Sequence, residues 1–156
     1  MKLKMFKLNS AVEDTVSGLK GTVTLAQIDM EKVIIYLVQP KGLTSSGEIN
    51  EAKWFVGARL SGKETEEKDV PFEILGTVVR DKITGFRGIA TSLVYHVSGC
   101  LHVQFASRET KKAPSTAYDF SVLRLEGEAI RKMNETEKKV EMKKRPSPSA
   151  FCSSIR

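Results

Sequence analysis

An internal repeat constrains this chain more than any other feature of its sequence. Residues 12–24 read VEDTVSGLKGTVT, and residues 79–91 read VRDKITGFRGIAT, at an offset of 67 residues without a gap. The identical pairs are Val12/Val79, Asp14/Asp81, Gly18/Gly85, Gly21/Gly88 and Thr24/Thr91. After a two-residue deletion the match resumes, with Phe55, Arg59 and Leu60 aligned to Phe120, Arg124 and Leu125. Two diverged copies of one unit of roughly 50 residues are therefore predicted.

The apolar spacing within each copy favours β-strands. Val12 and Val16, like Val79 and Ile83, lie at even spacing in short β-rich segments, which predicts strands with one buried face. The continuous apolar run 33–38 predicts a central strand, and the alternation over residues 101–105 predicts a half-buried strand. Trp54, in the short strand that closes the first copy, is expected in the core. Four or five short strands beside a glycine turn are typical of a small SH3-like barrel.

The shared polar and glycine positions have structural explanations. Gly18 and Gly85 lie where the chain must turn, and glycine adopts a positive φ without strain. The preceding aspartates, Asp14 and Asp81, are placed to accept hydrogen bonds from turn amides. Gly21 and Gly88 open the next strand, where a missing side chain permits a bulge or a close backbone approach. We therefore interpret these six residues as structural, not catalytic.

The predicted fold is all-β: two tandem SH3-like barrels followed by a charged tail. The predicted boundaries are residues 1–60 and 72–126 for the two barrels, 61–71 for a charged linker and 127–156 for the tail. Apolar residues in the tail, among them Ile130 and Met133, allow a short helix, although the apolar stripe is thin.

The formal net charge is +6, with charges of both signs crowded into residues 132–145. Such a mixed stretch is more typical of a solvated tail than of a nucleic-acid site. Lys20 and Arg87 nevertheless occupy the same place in the two turns. The candidate contacts for a partner or for phosphate are Lys20, Arg87, Lys111, Lys112, Lys143, Lys144 and Arg145. No apolar run approaches the roughly 20 residues that span a bilayer, so no membrane partner is predicted.

Motifs for catalysis, metal binding or cofactors are not found in the sequence. Cys100 with His96 or His102 is the one candidate nucleophile–base pair, but a half-buried cysteine beside two ordinary histidines is the simpler interpretation. Cys100 and Cys152 lie in different contexts and indicate no disulfide framework, which favours a reducing cytoplasm. The chain is therefore predicted not to be an enzyme, with no catalytic residue, no metal site and no cofactor.

Residues 79–91, followed by Tyr95 and the pair Gly99-Cys100, resemble a family of small uncharacterised proteins from tailed bacteriophages. The family pattern continues with a Val-Gln-Pro-Lys element and a closing Trp-Phe segment. Here the first copy carries those parts, as VQPKG at residues 38–42 and WF at residues 54–55. The resemblance covers about two thirds of the chain, and it implies a phage origin rather than a biochemical activity.

Three functions remain open at this point. The first is a structural or virion-associated phage protein of the capsid, neck or tail. It would bind other phage subunits or copies of itself, in the host cytoplasm during assembly and then in the virion. The second is a phage accessory protein that binds nucleic acid or a nucleotide signal, and the third is a cysteine-dependent enzyme. A duplicated module with no pocket motif favours the first.

Overall fold

The computed structural model describes residues 1–107 and 117–143, with side chains described up to residue 139 in the last helix. Two compact units divide the chain: Met1–Val70 with Val94–Val97, and Pro71–Leu93 with the chain from Ser98 onward. Along the chain, the first change of unit comes between Val70 and Pro71.

The first unit is built from strands. They are β1 (Lys2–Phe6), β2 (Ala11–Asp14), β3 (Lys20–Asp29), β4 (Ile34–Pro40), β5 (Lys53–Val56), β6 (Leu60–Ser61) and β7 (Thr65–Asp69). A one-turn 3-10 helix, Gly57–Arg59, separates β5 from β6. β2 to β5 form an antiparallel meander, and β6 returns to pair with β2. β1 and β7 form a separate antiparallel pair.

The second unit repeats this plan and adds a helix. Its strands are β8 (Val78–Asp81), β9 (Arg87–His96), β10 (Leu101–Ala106), β11 (Ala117–Ser121) and β12 (Leu125–Glu126), and helix α1 (Glu128–Lys143) follows. A 3-10 helix, Phe72–Ile74, precedes β8. The last three residues of β9, 94–96, belong to the first unit. β12 returns to pair with β8, as β6 does with β2.

The strand order is therefore the same in both units, β6-β2-β3-β4-β5 and β12-β8-β9-β10-β11. The predicted all-β class is confirmed, since strands dominate the described residues and α1 is the one α-helix there. Closed barrels are not formed by these pairings. Within the described ranges, β5 does not pair with β6, and β11 does not pair with β12.

Equivalent positions fill the two cores. Val12 and Val79 are 4% and 1% exposed, and Leu60 and Leu125 are 7% and 1% exposed. Each such side chain contributes about 1.5–3 kcal/mol when it leaves water. The phenol of Tyr36 is also buried in the first unit, where its oxygen accepts a hydrogen bond from the Phe6 amide at 3.1 Å. Burial raises the pKa of this phenol.

Several expectations from the sequence differ from the structure. Val16 and Ile83 are 75% and 73% exposed, because each lies in the turn after its strand and not in the strand itself. Trp54, expected in the core, is 46% exposed, because Phe55 takes the buried face of β5. The burial of Val16 and Ile83 was predicted wrongly because the turn begins earlier than the apolar pattern suggests. The burial of Trp54 was predicted wrongly because the alternation of buried and exposed residues in β5 has the opposite phase.

The predicted linker and tail also contain regular structure. Residues 61–71 include β7, whose five residues pair with β1 from Lys2↔Asp69 to Phe6↔Thr65. The charged tail begins with the 16-residue helix α1, and Ile130 in its first turns is 2% exposed. The start of the tail therefore belongs to the core of the second unit.

Among the described residues, no cysteine is a free thiol. Cys100 is 1% exposed and disulfide-bonded, so the expectation of no disulfide is wrong for this residue. Cys152 lies outside the described residues. A thiol held in this way is not available as a thiolate nucleophile. No helix in the described part of the chain has both the length and the apolar character that crossing a bilayer requires.

The four glycines of the repeat are needed for two different reasons. Gly18 and Gly85 have φ of 73° and 79°. Gly21 and Gly88 do not need a positive φ, but an added Cβ would lie 2.4 Å from the Gln39 carbonyl oxygen or 2.7 Å from that of Ala106. The first pair therefore shapes the turn, and the second lets the neighbouring strand approach.

Gly85→Val should destabilise the second unit by about 1–3 kcal/mol, because a β-branched residue is strained at positive φ. Gly85→Asn is the matched control, since asparagine tolerates this region and Asn9 already adopts a φ of 66° in this chain. Urea unfolding of both variants measures the difference. Equal losses from valine and asparagine would contradict the backbone explanation.

Candidate functional site

A buried aspartate fixes the turn between β2 and β3. The Asp14 side chain is fully buried, and its carboxylate accepts hydrogen bonds from the Ser17 amide at 2.9 Å and from the Ser17 hydroxyl. Its backbone carbonyl accepts from the Gly18 amide at 2.8 Å. Arg59, 45 residues further along the chain, donates from Nε at 2.9 Å and from Nη2 at 2.6 Å. We call this arrangement of aspartate, turn and arginine the Asp–Arg bracket.

The second unit contains the same bracket with the same atoms. Asp81 is fully buried, and it accepts hydrogen bonds from the Thr84 amide at 3.2 Å and from the Thr84 hydroxyl. The Gly85 amide donates to the Asp81 carbonyl at 2.8 Å. Arg124 donates from Nε and Nη2, both at 2.8 Å, and its guanidinium lies 3.7 Å from the centroid of the Phe120 ring. The repeat therefore preserves a three-dimensional motif, not only a sequence pattern.

The bracket is electrostatically stable as an ion pair. The arginine hydrogen bonds are the largest effect, and they hold the pKa values of Asp14 and Asp81 well below the ordinary value of 3.8 against the opposing effect of burial. The same contacts raise the pKa values of Arg59 and Arg124. A carboxylate that stays ionised and bidentately paired positions the strands and is poorly suited to proton transfer.

Asp81→Asn should lower stability at neutral pH and flatten its acid dependence. The pKa of Asp81 is lower in the folded state than in the unfolded state. Its stabilisation is therefore present above about pH 4 and is lost as the pH falls through the folded-state pKa. Urea unfolding from pH 7 to pH 2 measures both curves. If the free energy of unfolding falls equally with decreasing pH in the wild type and the variant, this carboxylate contributes nothing to the pH dependence.

The two copies differ most in aromatic content at aligned positions. Leu19, Val38 and Lys53 of the first unit correspond to Phe86, Phe105 and Tyr118 of the second. The strand register supports this alignment, because Val38 pairs with Lys53 and Phe105 pairs with Tyr118. Sequence inspection did not single out this aromatic set. The signal that could have found it is the difference between the copies, not their similarity.

These rings form a cluster around an open groove in the second unit. The Phe86 ring meets Tyr118 edge-on at 5.0 Å, and Tyr118 stacks on Phe120 at 5.8 Å. Phe105 is fully buried beneath them, whereas Tyr118 is 39% exposed. The groove has a cavity volume of about 470 Å³ and is lined by Asp81, Thr84, Gly85, Phe86, Tyr118 and Phe120. Arg124 neutralises the one carboxylate in this lining, so the aromatic groove offers ring surface without uncompensated charge.

A second, larger groove of about 810 Å³ lies between strands β8, β9 and β12 on one side and helix α1 on the other. Five cations line it: Arg80, Lys82, Arg87, Arg131 and Lys138. Three carboxylates also line it: Glu126, Glu128 and Glu135. Ion pairs join Arg80 to Glu126 and Lys132 to Glu128. Most of the lining carboxylates are therefore already engaged, and the basic groove keeps a positive excess.

The predicted contact residues separate in the structure. Arg87 lines the basic groove, whereas Lys20 is exposed on the first unit opposite Glu13. Lys143 ends α1, and its side chain is not described. Lys111, Lys112, Lys144 and Arg145 lie outside the described residues.

His102, one of the two candidate bases for Cys100, is engaged in the second unit. A distance of 2.8 Å joins its Nδ1 to the Asp119 carboxylate across β10 and β11. This contact and the disulfide at Cys100 account for both side chains through structural roles.

Comparison with known proteins adds no assignment. No protein-family model, no curated protein sequence and no solved structure matches this chain.

Proposed function

We propose that this chain is a non-enzymatic, virion-associated bacteriophage protein that joins neighbouring subunits through the aromatic groove of its second unit. The observation that carries the proposal is the replacement of Leu19, Val38 and Lys53 by three aromatic residues at the aligned positions. The phage context comes from the sequence resemblance. On this proposal the protein acts in the host cytoplasm during assembly and then in the virion.

A protein segment suits the aromatic groove better than a charged ligand. Large rings at a partly exposed position supply most of the binding energy in protein interfaces, and tyrosine is enriched among such residues. Tyr118 presents both a ring face and a hydroxyl, and Phe86 and Phe120 flank it. The partner is therefore an apolar segment of another phage subunit or of a second copy of this chain.

We further propose that each unit is an SH3-like module. The supporting features are the shared five-strand order and the return of β6 to β2 and of β12 to β8. The 3-10 turn before β6 also supports it. In such modules a fixed β-scaffold carries a binding surface on its loops and strand faces.

The double substitution Phe86→Leu with Tyr118→Lys restores the first-unit residues and should reduce incorporation into virions at least tenfold. Partly exposed rings are being removed, so the melting temperature should change by only a few degrees. Quantitative mass spectrometry of purified particles measures incorporation, and thermal unfolding measures stability. Lys53→Ala, at the first-unit equivalent of Tyr118, is the matched control and should incorporate normally.

Absence of the wild-type protein from purified particles would contradict the virion assignment. Normal incorporation of the folded double variant would show that the aromatic groove is not the docking surface.

A further inference from the structure

The basic groove contains a charge arrangement that the fold does not require. Arg80 and Arg87 lie directly opposite each other on β8 and β9. Their first-unit equivalents, Glu13 and Lys20, face each other at the same register of β2 and β3. Opposite charges at such a pair stabilise a sheet, and like charges destabilise it. The second unit therefore replaces a favourable pair with an unfavourable one.

We propose that the basic groove of the second unit binds the phosphate backbone of a nucleic acid. Glu126 already pairs with Arg80, so a bound phosphate would supply a counter-charge to Arg87 and offset the repulsion between the two arginines. The same comparison extends to the turn, where Lys82 replaces Thr15. At these three aligned positions the net formal charge is zero in the first unit and +3 in the second, and Glu126, which stands where the first unit has Ser61, reduces the second value to +2.

Helix α1 supplies the opposite wall of the groove. Arg131 and Lys138 both line the groove, seven residues apart on the helix. Ile130, which is 2% exposed, anchors this part of the helix to the second unit. The cations on the two walls therefore face a common space.

The ion pairs within the basic groove do not neutralise all of its positive charges. Glu126 holds Arg80, and Glu128 holds Lys132 at 2.9 Å, which leaves Glu135 as the remaining lining carboxylate. Within the ranges that the structure describes, no ion pair joins Arg87 or Lys138 to a carboxylate, whereas Arg131 interacts electrostatically with Glu128. Converging cations of this kind raise the local potential and attract polyanions.

The spacing favours a polymer over a single phosphate. Arg131 and Lys138 are separated by roughly 10 Å along the helix, at 1.5 Å per residue. Successive phosphates of one strand advance by about 3.4 Å in a duplex, so this wall spans several of them. No aromatic side chain is part of the described lining, which favours contact with the backbone rather than stacking on bases. Binding should therefore depend on salt and little on sequence.

Fluorescence anisotropy of the full-length chain with a dye-labelled 20-nucleotide strand and a 20-base-pair duplex tests the proposal. The wild type should bind at 50 mM salt and weaken steeply toward 200 mM. The double variant Arg87→Glu with Arg131→Glu should bind at least tenfold more weakly, and its log–log salt slope should shrink by about one for each cation removed. Arg87→Glu also places opposite charges at the cross-strand pair, so the stability of the fold should not decrease.

Lys41→Glu with Lys53→Glu is the matched control, because it changes the net charge equally at exposed positions of the first unit. It should keep most of the affinity. A similar loss in this control would overturn the proposal, since binding would then follow net charge and not the groove.

Failure of the wild type to bind either probe at 50 mM salt would also overturn the proposal. Binding to poly-glutamate but to neither nucleic acid would assign the groove to an acidic protein partner and overturn it as well. Phe86→Leu with Tyr118→Lys should leave nucleic-acid binding unchanged, so this proposal and the aromatic docking surface can fail independently.

Discussion

A buried carboxylate that would be unstable alone organises each unit of this protein. An ionised aspartate in a protein interior is costly unless hydrogen bonds and an opposite charge compensate it. In both units the compensation comes from turn amides, one hydroxyl and two nitrogens of the arginine side chain, Nε and Nη2. The arginine precedes β6 in the first unit and β12 in the second, the strands that return to pair with β2 and β8. The interaction therefore joins the turn after β2 or β8 to the start of the returning strand, across more than 40 residues.

This constraint explains which residues the duplication preserved. The aspartate, the turn glycine, the second glycine and the arginine recur because each satisfies one geometric requirement of the bracket or of the adjoining strand pair. Positions outside the bracket could diverge without loss of the fold. They diverge toward aromatic rings on one side of the second unit, at Phe86 and Tyr118, and toward cations on another, at Arg80 and Lys82. The proposed functions follow from these differences between the copies.

Local patterns in the sequence predicted the strands, the turn glycines and the hydrogen-bonding role of Asp14 and Asp81. They did not predict the arginine partner, because the two groups are 45 and 43 residues apart in sequence. Nor did they predict the aromatic groove, which depends on the register of β10 against β11. The predicted burial of Trp54 was wrong because β5 is an edge strand with one buried residue, and so short a pattern does not show which face of the strand is buried.

The charged segments show a further limit of composition as a guide. Residues 65–69 contain no apolar side chain, yet they form β7 because the backbone of β1 provides partners along its full length. The start of the tail is helical and packed because one isoleucine, Ile130, fits the second core. In both cases one tertiary contact or strand pairing stabilises regular structure in a segment whose high charge would suggest a loop.

A double-mutant cycle on the two brackets tests the central claim most directly. Asp14→Asn with Arg59→Met, and Asp81→Asn with Arg124→Met, are compared with their single variants by urea unfolding at pH 7. The bracket account predicts that each single variant destabilises strongly, and that each double variant loses less than the sum of its singles, in both units. Additive losses in either unit would contradict the claim that the arginine and the buried aspartate act together to hold the fold.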